Sequence, residues 1–462
     1  MAEPGLSILT KLTEFFSTAH IEASARRTGF VQRASKITGK VFLALVTVGQ
    51  WSAAKTSLAQ LAAKAAQLAD PIDVSPEALH QRMNSRALAF LRELIQTAFA
   101  KLHTADTVCD EDLFTPFPQV YLADSTGFGL PASLRAAFPG TGGSASPAGA
   151  KIQLVWDYKR STFAHFALGP GNLPDNKYVD TVVRLLGKGA LVLFDLGYFK
   201  LTAFADIVAA GAYFLSRLHH QATLLEAVAG RLRPVDLGQE LRTESRSLLE
   251  KAVFLGAQER VATRLIAVRM PEAVVNERRR KARRTAKKRG HTPSQAHLTL
   301  LAWNLFITNV PDTVWTPQTI GKVYSLRWQV ELVFKAWKSH LHLATLPTKT
   351  VNSTLCYLYG RMLLILLTFA FCPTLRATVW STKRRELSLL KLIRHLQALA
   401  DRWLHLLFAP SAALCSFLRR AYTTAERLVL KAVRKRRTTA QLLRDSLASQ
   451  HDFFKPARAL AA

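Results

Sequence analysis

Residues 324 to 338 read YSLRWQVELVFKAWK. Wound at about 100° per residue, this stretch sets Tyr324, Arg327, Glu331, Lys335 and Lys338 on one narrow helical face. Leu326, Val330, Val333, Phe334 and Trp337 fall on the other. A lone carboxylate among an arginine, two lysines and a tyrosine suits a site where a metal-binding acid must sit beside a polyanion, which points to phosphodiester chemistry. A solvated charged face is the commoner origin of any single charge run, but several residue types at fixed offsets narrow the reading.

Two further carboxylates follow apolar, strand-like runs. Asp124 ends Val120–Ala123 and Asp195 ends the run from Ala190 to Phe194. Taken alone, each reads as an ordinary strand-end turn residue. At the carboxyl ends of strands in one sheet, however, the two would repel each other unless cations held them together. With Glu331 they form a set of carboxylates able to converge on two Mg²⁺ ions, which activate an attacking oxygen and stabilise a leaving one in an in-line displacement.

Tyr324, Arg327, Glu331 and Lys338 together resemble the YREK signature of bacterial DDE transposases of the insertion sequence four family. The contexts ADSTGF at Asp124 and FDLGYF at Asp195 are similar to that family's two aspartate motifs. The resemblance covers roughly residues 115 to 375. It implies an α/β fold with an RNase H-like core, interrupted by a β-rich insertion and flanked by helical regions. It also implies Asp124, Asp195 and Glu331 as catalytic metal ligands for two Mg²⁺ ions, with Mn²⁺ able to substitute. Tyr324, Arg327, Lys335 and Lys338 would contact DNA phosphates. Arg217, in YFLSRL, matches a DNA-contacting arginine. Trp303, in AWNLFITNV, matches a tryptophan that stacks on a flipped base in hairpin-forming relatives; the plain alternative is a core strand residue. The implied partners are double-stranded DNA, as element ends and target, and a second copy of the chain in a synaptic dimer.

Composition agrees with a polyanionic partner. The chain has 462 residues, 49% of them hydrophobic, so it can bury large cores, and 62 Lys plus Arg against 32 Asp plus Glu give +30. The amino-terminal MAEPGLSILTKLTEFF lacks a basic head, apolar block and cleavage site, so the expected location is cytoplasmic, at the bacterial nucleoid, with no membrane partner. The most apolar run, from Met362 to Cys372, is shorter than the roughly 20 residues that cross a bilayer and reads as a core helix. Cys109, Cys356, Cys372 and Cys415 form no CxxC pair, which argues against structural zinc and a disulfide framework.

Along the chain, residues 1–115 read as a helical domain, with Ser75 as an N-cap before Pro76. Arg26, Arg27, Arg33, Lys36 and Lys40, with a helix–turn–helix pattern from Leu58 to Phe90, hint at DNA contact there. Residues 116–225 read as the first part of the core, with a hairpin of Lys151–Tyr158 and Ser161–Leu168 and a flexible loop at 140–149. Residues 226–297 read as the β-rich insertion with a basic loop, NERRRKARRTAKKRG from Asn276 to Gly290, that either grips phosphates or is simply solvated. Residues 298–375 return to the core, beginning with an apolar strand from Leu298 to Val310, and 376–462 form a helical basic tail.

The expected activity is a transposase that binds terminal inverted repeats, cuts the ends and joins them to target DNA, with a hairpin intermediate as one route. An RNase H-like nuclease without strand transfer and a catalytically inactive DNA-binding derivative remain alternatives. A membrane-surface protein would explain the charge but not the carboxylates.

Overall fold

A computed structural model describes residues 6–68, 70–104, 112–142, 146–347 and 350–432. Cys109, residues 143–145 of the expected loop and the basic run from Arg434 to Arg437 lie outside them. The chain divides into two compact units. One comprises 1–109, 125–173 and 330–433, and the other 110–124, 174–329 and 434–462.

The strands, in chain order, are β1 (Val120–Leu130), β2 (Ala148–Asp157), β3 (Thr162–Pro170), β4 (Leu191–Phe194), β5 (Tyr213–Arg217), β6 (Leu224–Val228), β7 (Arg231–Pro234), β8 (Leu248–Leu255), β9 (Val261–Arg269) and β10 (Trp303–Thr308). In the second unit they run in the order β1-β4-β5-β10-β9-β8-β6-β7. The β1, β4 and β5 pairings are parallel, and β10 pairs antiparallel with both β5 and β9. Val120–Ala123 and all of β4 are buried, as parallel strands covered on both faces require. This α/β fold is RNase H-like, and in the first unit β2 and β3 pair as an antiparallel hairpin. The aromatic floor of the unit is Trp315, which packs on Phe114 and Phe117 and donates its indole N–H to Leu113 O at 3.1 Å.

The first unit is mainly helical. Leu6–Phe15, Thr18–Arg27, Gly39–Val46, Leu58–Ala65, Pro76–Arg82 and Ser85–Leu102 form its amino-terminal part. Ser75 does cap its helix, its hydroxyl accepting from Ala78 N, with Pro76 in the first turn. Arg82 turns inward, donating to Ile37 O at 3.1 Å and lying 4.2 Å from the Phe30 ring centroid. The central helix is Val351–Phe369. A Cβ on its Gly360 would fall 1.8 Å from Val46 O, so only glycine permits that close crossing. Next to it Arg361, 2% exposed, donates to Gln50 Oε1, Thr345 O, Ala54 O and His342 O. A buried guanidinium is tolerated because carbonyls replace its hydration.

Several local expectations are corrected. The apolar run at Met362 belongs to a longer helix of 19 residues, and Val351–Lys383, which contains an 18-residue window of mean hydropathy 1.9, is long and apolar enough to span a bilayer. Its apolar window is entirely buried in the protein, which makes it a core helix. Strand β1 does not stop at Asp124 but continues to Leu130: the apolar run ends at the aspartate, yet β1 goes on beside β2. The basic run is not a loop. Glu272–Lys288 is a helix, with Glu272 in its first turn and Lys287 and Lys288 in its last, both favourable to the helix dipole, and arginine, lysine and alanine are good helix formers. The stretch from Leu298 to Val310 begins with the end of a helix, Gln295–Leu300, before β10. Finally, YSLRWQVELVFKAWK is not one continuous α-helix. Pro317–Tyr324 ends at the tyrosine, Ser325–Arg327 tightens into a 3₁₀ turn, and Trp328–His340 resumes. The apolar face expected there is buried throughout: Leu326, Val330, Val333, Phe334 and Trp337.

Candidate active site

Register builds the centre of the site. Ala123 lies opposite Phe194 in the parallel β1–β4 pair, so Asp124 and Asp195 are the next residues on adjacent strands. Neighbouring strands sit roughly 4.8 Å apart, which forces two carboxylates into proximity. Arg327 answers that repulsion. Its guanidinium donates to Asp124 Oδ2 at 2.7 Å and lies 3.9 Å from Asp195 Oδ2. Asp124 and Arg327 are largely enclosed, with side chains 14% and 15% exposed, whereas Asp195 is 40% exposed and opens to solvent.

Tyr324 stands on the same side. Its hydroxyl reaches Phe194 O at 3.2 Å and Asp195 Oδ1 at 3.3 Å. Burial, reinforced by the Asp195 carboxylate, pushes the phenol well above its ordinary pKa, so it stays a protonated donor. Phe306 packs on its ring at 5.1 Å between centroids. Phe306 is also the register partner of Arg217 across β5 and β10, which keeps that arginine close enough to oppose the rise in the Tyr324 pKa.

Trp303 opens β10 and is 2% exposed, with the Arg269 guanidinium 4.5 Å from its ring centroid. It lines a cavity of about 330 Å³ together with Leu196, Arg217, His220, Arg278 and His297. The sequence reading missed two of these partners. Arg269 was hidden at the end of a strand. Arg278 looked like one cation in a solvated run, but it is half-buried and donates to Asn304 Oδ1 at 2.8 Å and to the carbonyls of Leu301 and Trp303 at 3.4 Å. The helical period of Val275, Arg278, Arg279, Ala282 and Ala286 was the available signal.

The second unit thus brings together Asp124, Asp195, Tyr324 and Arg327, with Arg217 and Trp303 nearby on its sheet. Glu331, Lys335 and Lys338 belong to the first unit. There Lys335 is exposed, and Lys338, also exposed, donates to Gly127 O at 2.8 Å, with partial burial lowering its pKa. Among the described residues, no group of three or more His, Cys, Asp or Glu side chains is gathered to hold a metal ion. The adjacent aspartates nonetheless fit Mg²⁺, which prefers hard oxygen donors and is commonly bound by one or two carboxylates with substrate phosphates and water completing the shell.

An RNase H-like sheet with paired aspartates at the point where parallel pairing ends defines a class of phosphodiester-processing enzymes. The family described as "Transposase DDE domain" matches residues 115–367, and the chain belongs to that family. It is therefore a DDE transposase, an enzyme that acts on DNA, of a family that works with divalent metal ions. It is similar to the transposase for insertion sequence element IS231C of Bacillus thuringiensis subsp. berliner, 30% identical over 395 residues and 82% of each chain. The IS231B transposase from the same organism is 29% identical over 414 residues, 84% of each. The IS1151 transposase of Clostridium perfringens is 28% identical over 404 residues, 84% of this chain and 85% of that one. Among solved structures, a piggyBac transposase synaptic complex with hairpin DNA aligns at 10% identity and TM-score 0.48, over 95% of this chain and 88% of that one.

Proposed function

We propose that the chain binds the terminal inverted repeats of its element, cleaves the element ends with Mg²⁺ and joins the freed 3′ hydroxyls to target DNA as a synaptic dimer. The observation that supports this most is the β1–β4 register, which leaves Asp124 and Asp195 side by side. Bound there, Mg²⁺ would supply electrostatic stabilisation to the attacking and leaving oxygens. Asp124 and Asp195 would hold it from the sheet, with Glu331, in the first turn of Trp328–His340, as the third carboxylate that the family resemblance implies.

The remaining residues handle charge and position. Arg327 neutralises the aspartates and offers a bidentate fork to a phosphate that approaches them. Tyr324, kept protonated, donates a hydrogen bond at Asp195 and orients that carboxylate. Lys335, Lys338 and Arg217 contribute cationic contacts to flanking phosphates. Trp303 takes an unstacked base during hairpin formation, once Arg269 moves off its face.

The test compares Asp124→Ala, Asp195→Ala and Glu331→Ala with the parent for gel-shift binding of end DNA and for Mg²⁺-dependent nicking. Loss of nicking with binding retained is expected for all three, because distant phosphate contacts survive. Full nicking in any variant removes that residue from the set. Nicking without any joined product would replace the transposition reading with that of a nuclease.

A further inference from the structure

The helix Glu272–Lys288 and the segment after it enclose a second, larger cavity of about 750 Å³. Arg278, Lys281, Arg289, His220, His291 and His297 line it, and no Asp or Glu is among its lining residues. His220 stands 4.8 Å from His219 and 5.2 Å from His297 between ring centroids. These rings come from the turn after β5 and from the helix Gln295–Leu300, so tertiary packing has assembled a histidine row against an arginine-rich helix.

Such a lining is unfavourable without a counter-charge. Burial first, and then His219 and His297, lower the His220 pKa, so His220 sits neutral in the unliganded chain at neutral pH. Arg217 lies close enough to Arg278 to disfavour further positive charge. The acid beside this cluster, Glu277, pairs with Lys281 at 2.7 Å, but both side chains are more than half exposed, 52% and 62%, so the pair is weak and readily exchanged. An anion with several acceptor oxygens would satisfy arginine, lysine and imidazole donors together. A single carboxylate offers only two oxygens to these cationic and imidazole groups, whereas a run of backbone phosphates offers acceptors to all of them.

We propose that this cavity is a DNA-backbone phosphate site on the insertion, and that its histidines take up protons as the phosphates enter. The proposal rests on the reading of the chain as a transposase that binds element ends. Phosphate beside the imidazoles favours their charged form, so protons are bound along with DNA and affinity rises as pH falls. The groups facing the row are His219 and Arg217 from β5 and its turn, Arg278, Lys281, Glu277 and Arg289 from the basic helix and its end, and His291 and His297 beyond it.

Two measurements decide it. By fluorescence anisotropy with a labelled duplex carrying the inverted repeat, the wild-type chain should gain about tenfold more affinity between pH 7.5 and 5.5 than His220→Gln/His297→Gln. A double variant with the wild-type pH profile overturns the proposal. The second uses the unaltered protein, which removes any question of folding. Carbethoxylation of histidines by diethyl pyrocarbonate, read by mass spectrometry, should slow at His220, His291 and His297 when DNA is added, with His405 of the carboxyl-terminal helices as the unaffected reference. Equal rates with and without DNA overturn the site. If the wild-type chain binds ends and protects these histidines but never nicks with Mg²⁺, the catalytic reading fails and the phosphate site stands. If it nicks while the histidines stay unprotected, only the phosphate site falls.

Discussion

Removing the Arg327 side chain should make the stability of this protein depend on divalent metal. In Arg327→Ala, Asp124 loses a hydrogen-bonded cation at 2.7 Å and Asp195 loses a positive charge at 3.9 Å. Two carboxylates on adjacent strands, about 5 Å apart at an effective dielectric constant of about 20, repel by about 3 kcal/mol. Asp195 is 40% exposed, so water screens part of this, and a destabilisation of about 1–3 kcal/mol in EDTA is the expectation. Saturating Mg²⁺ should restore the variant, while the wild type gains less because its arginine already supplies a cation and must yield Asp124 to the metal. The assay is urea melting of both proteins in EDTA and in Mg²⁺, read at the transition that reports the sheet. The argument is refuted if the variant melts like the wild type in EDTA, or if Mg²⁺ stabilises both equally.

Three further outcomes are expected. Burial pushes the His103 pKa down to about 4, with Nδ1 accepting from Phe163 N at 3.3 Å and Nε2 facing Leu366 O at 3.1 Å. The unfolded chain therefore binds the proton first, and stability present above about pH 6.5 should fall by about 3 kcal/mol on the way down to about pH 4, a slope that His103→Gln should flatten in pH-dependent melts. Replacing the outward Arg280, Arg283, Arg284 and Lys287 by alanine should lower the slope of log affinity against log salt by about 0.9 per lost phosphate contact, and an unchanged slope would mark that face as merely solvated. Trp303→Ala should accumulate nicked DNA at the expense of hairpin, since base stacking is worth about 1–3 kcal/mol, with Trp303→Phe milder; because the ring is buried, melting must first show the variant folded, and equal loss of both steps would dismiss the stacking role.

Much of the sheet that carries Asp124 and Asp195 was legible because its signals are local. Val120–Ala123 and Leu191–Phe194 are short, unbroken apolar runs followed by aspartate, and such runs suit parallel strands buried on both faces. The apolar face of YSLRWQVELVFKAWK likewise announced its burial. The tight turn at Ser325–Arg327 was not legible, since no proline or glycine marks it and the winding changes under tertiary constraint. The basic run misled for a different reason: repelling like charges suggest an unstructured loop, but Val275 and Ala286 give the helix a face to bury, and Arg278 and Arg279 find carbonyls there.

By itself, then, the sequence determined the alternation of apolar runs and polar stops, the excess of positive charge and the offsets within the Tyr324–Lys338 stretch, because each is set by side-chain chemistry a few residues apart. Tertiary structure alone decided which carboxylates share a cation, which arginine covers Trp303 and which histidines form a row. Asp124 and Arg327 are separated by 203 positions, and no local pattern encodes such a distance. The β1–β4 register encodes it, and a register slip of one residue would turn Asp124 to the opposite face of the sheet.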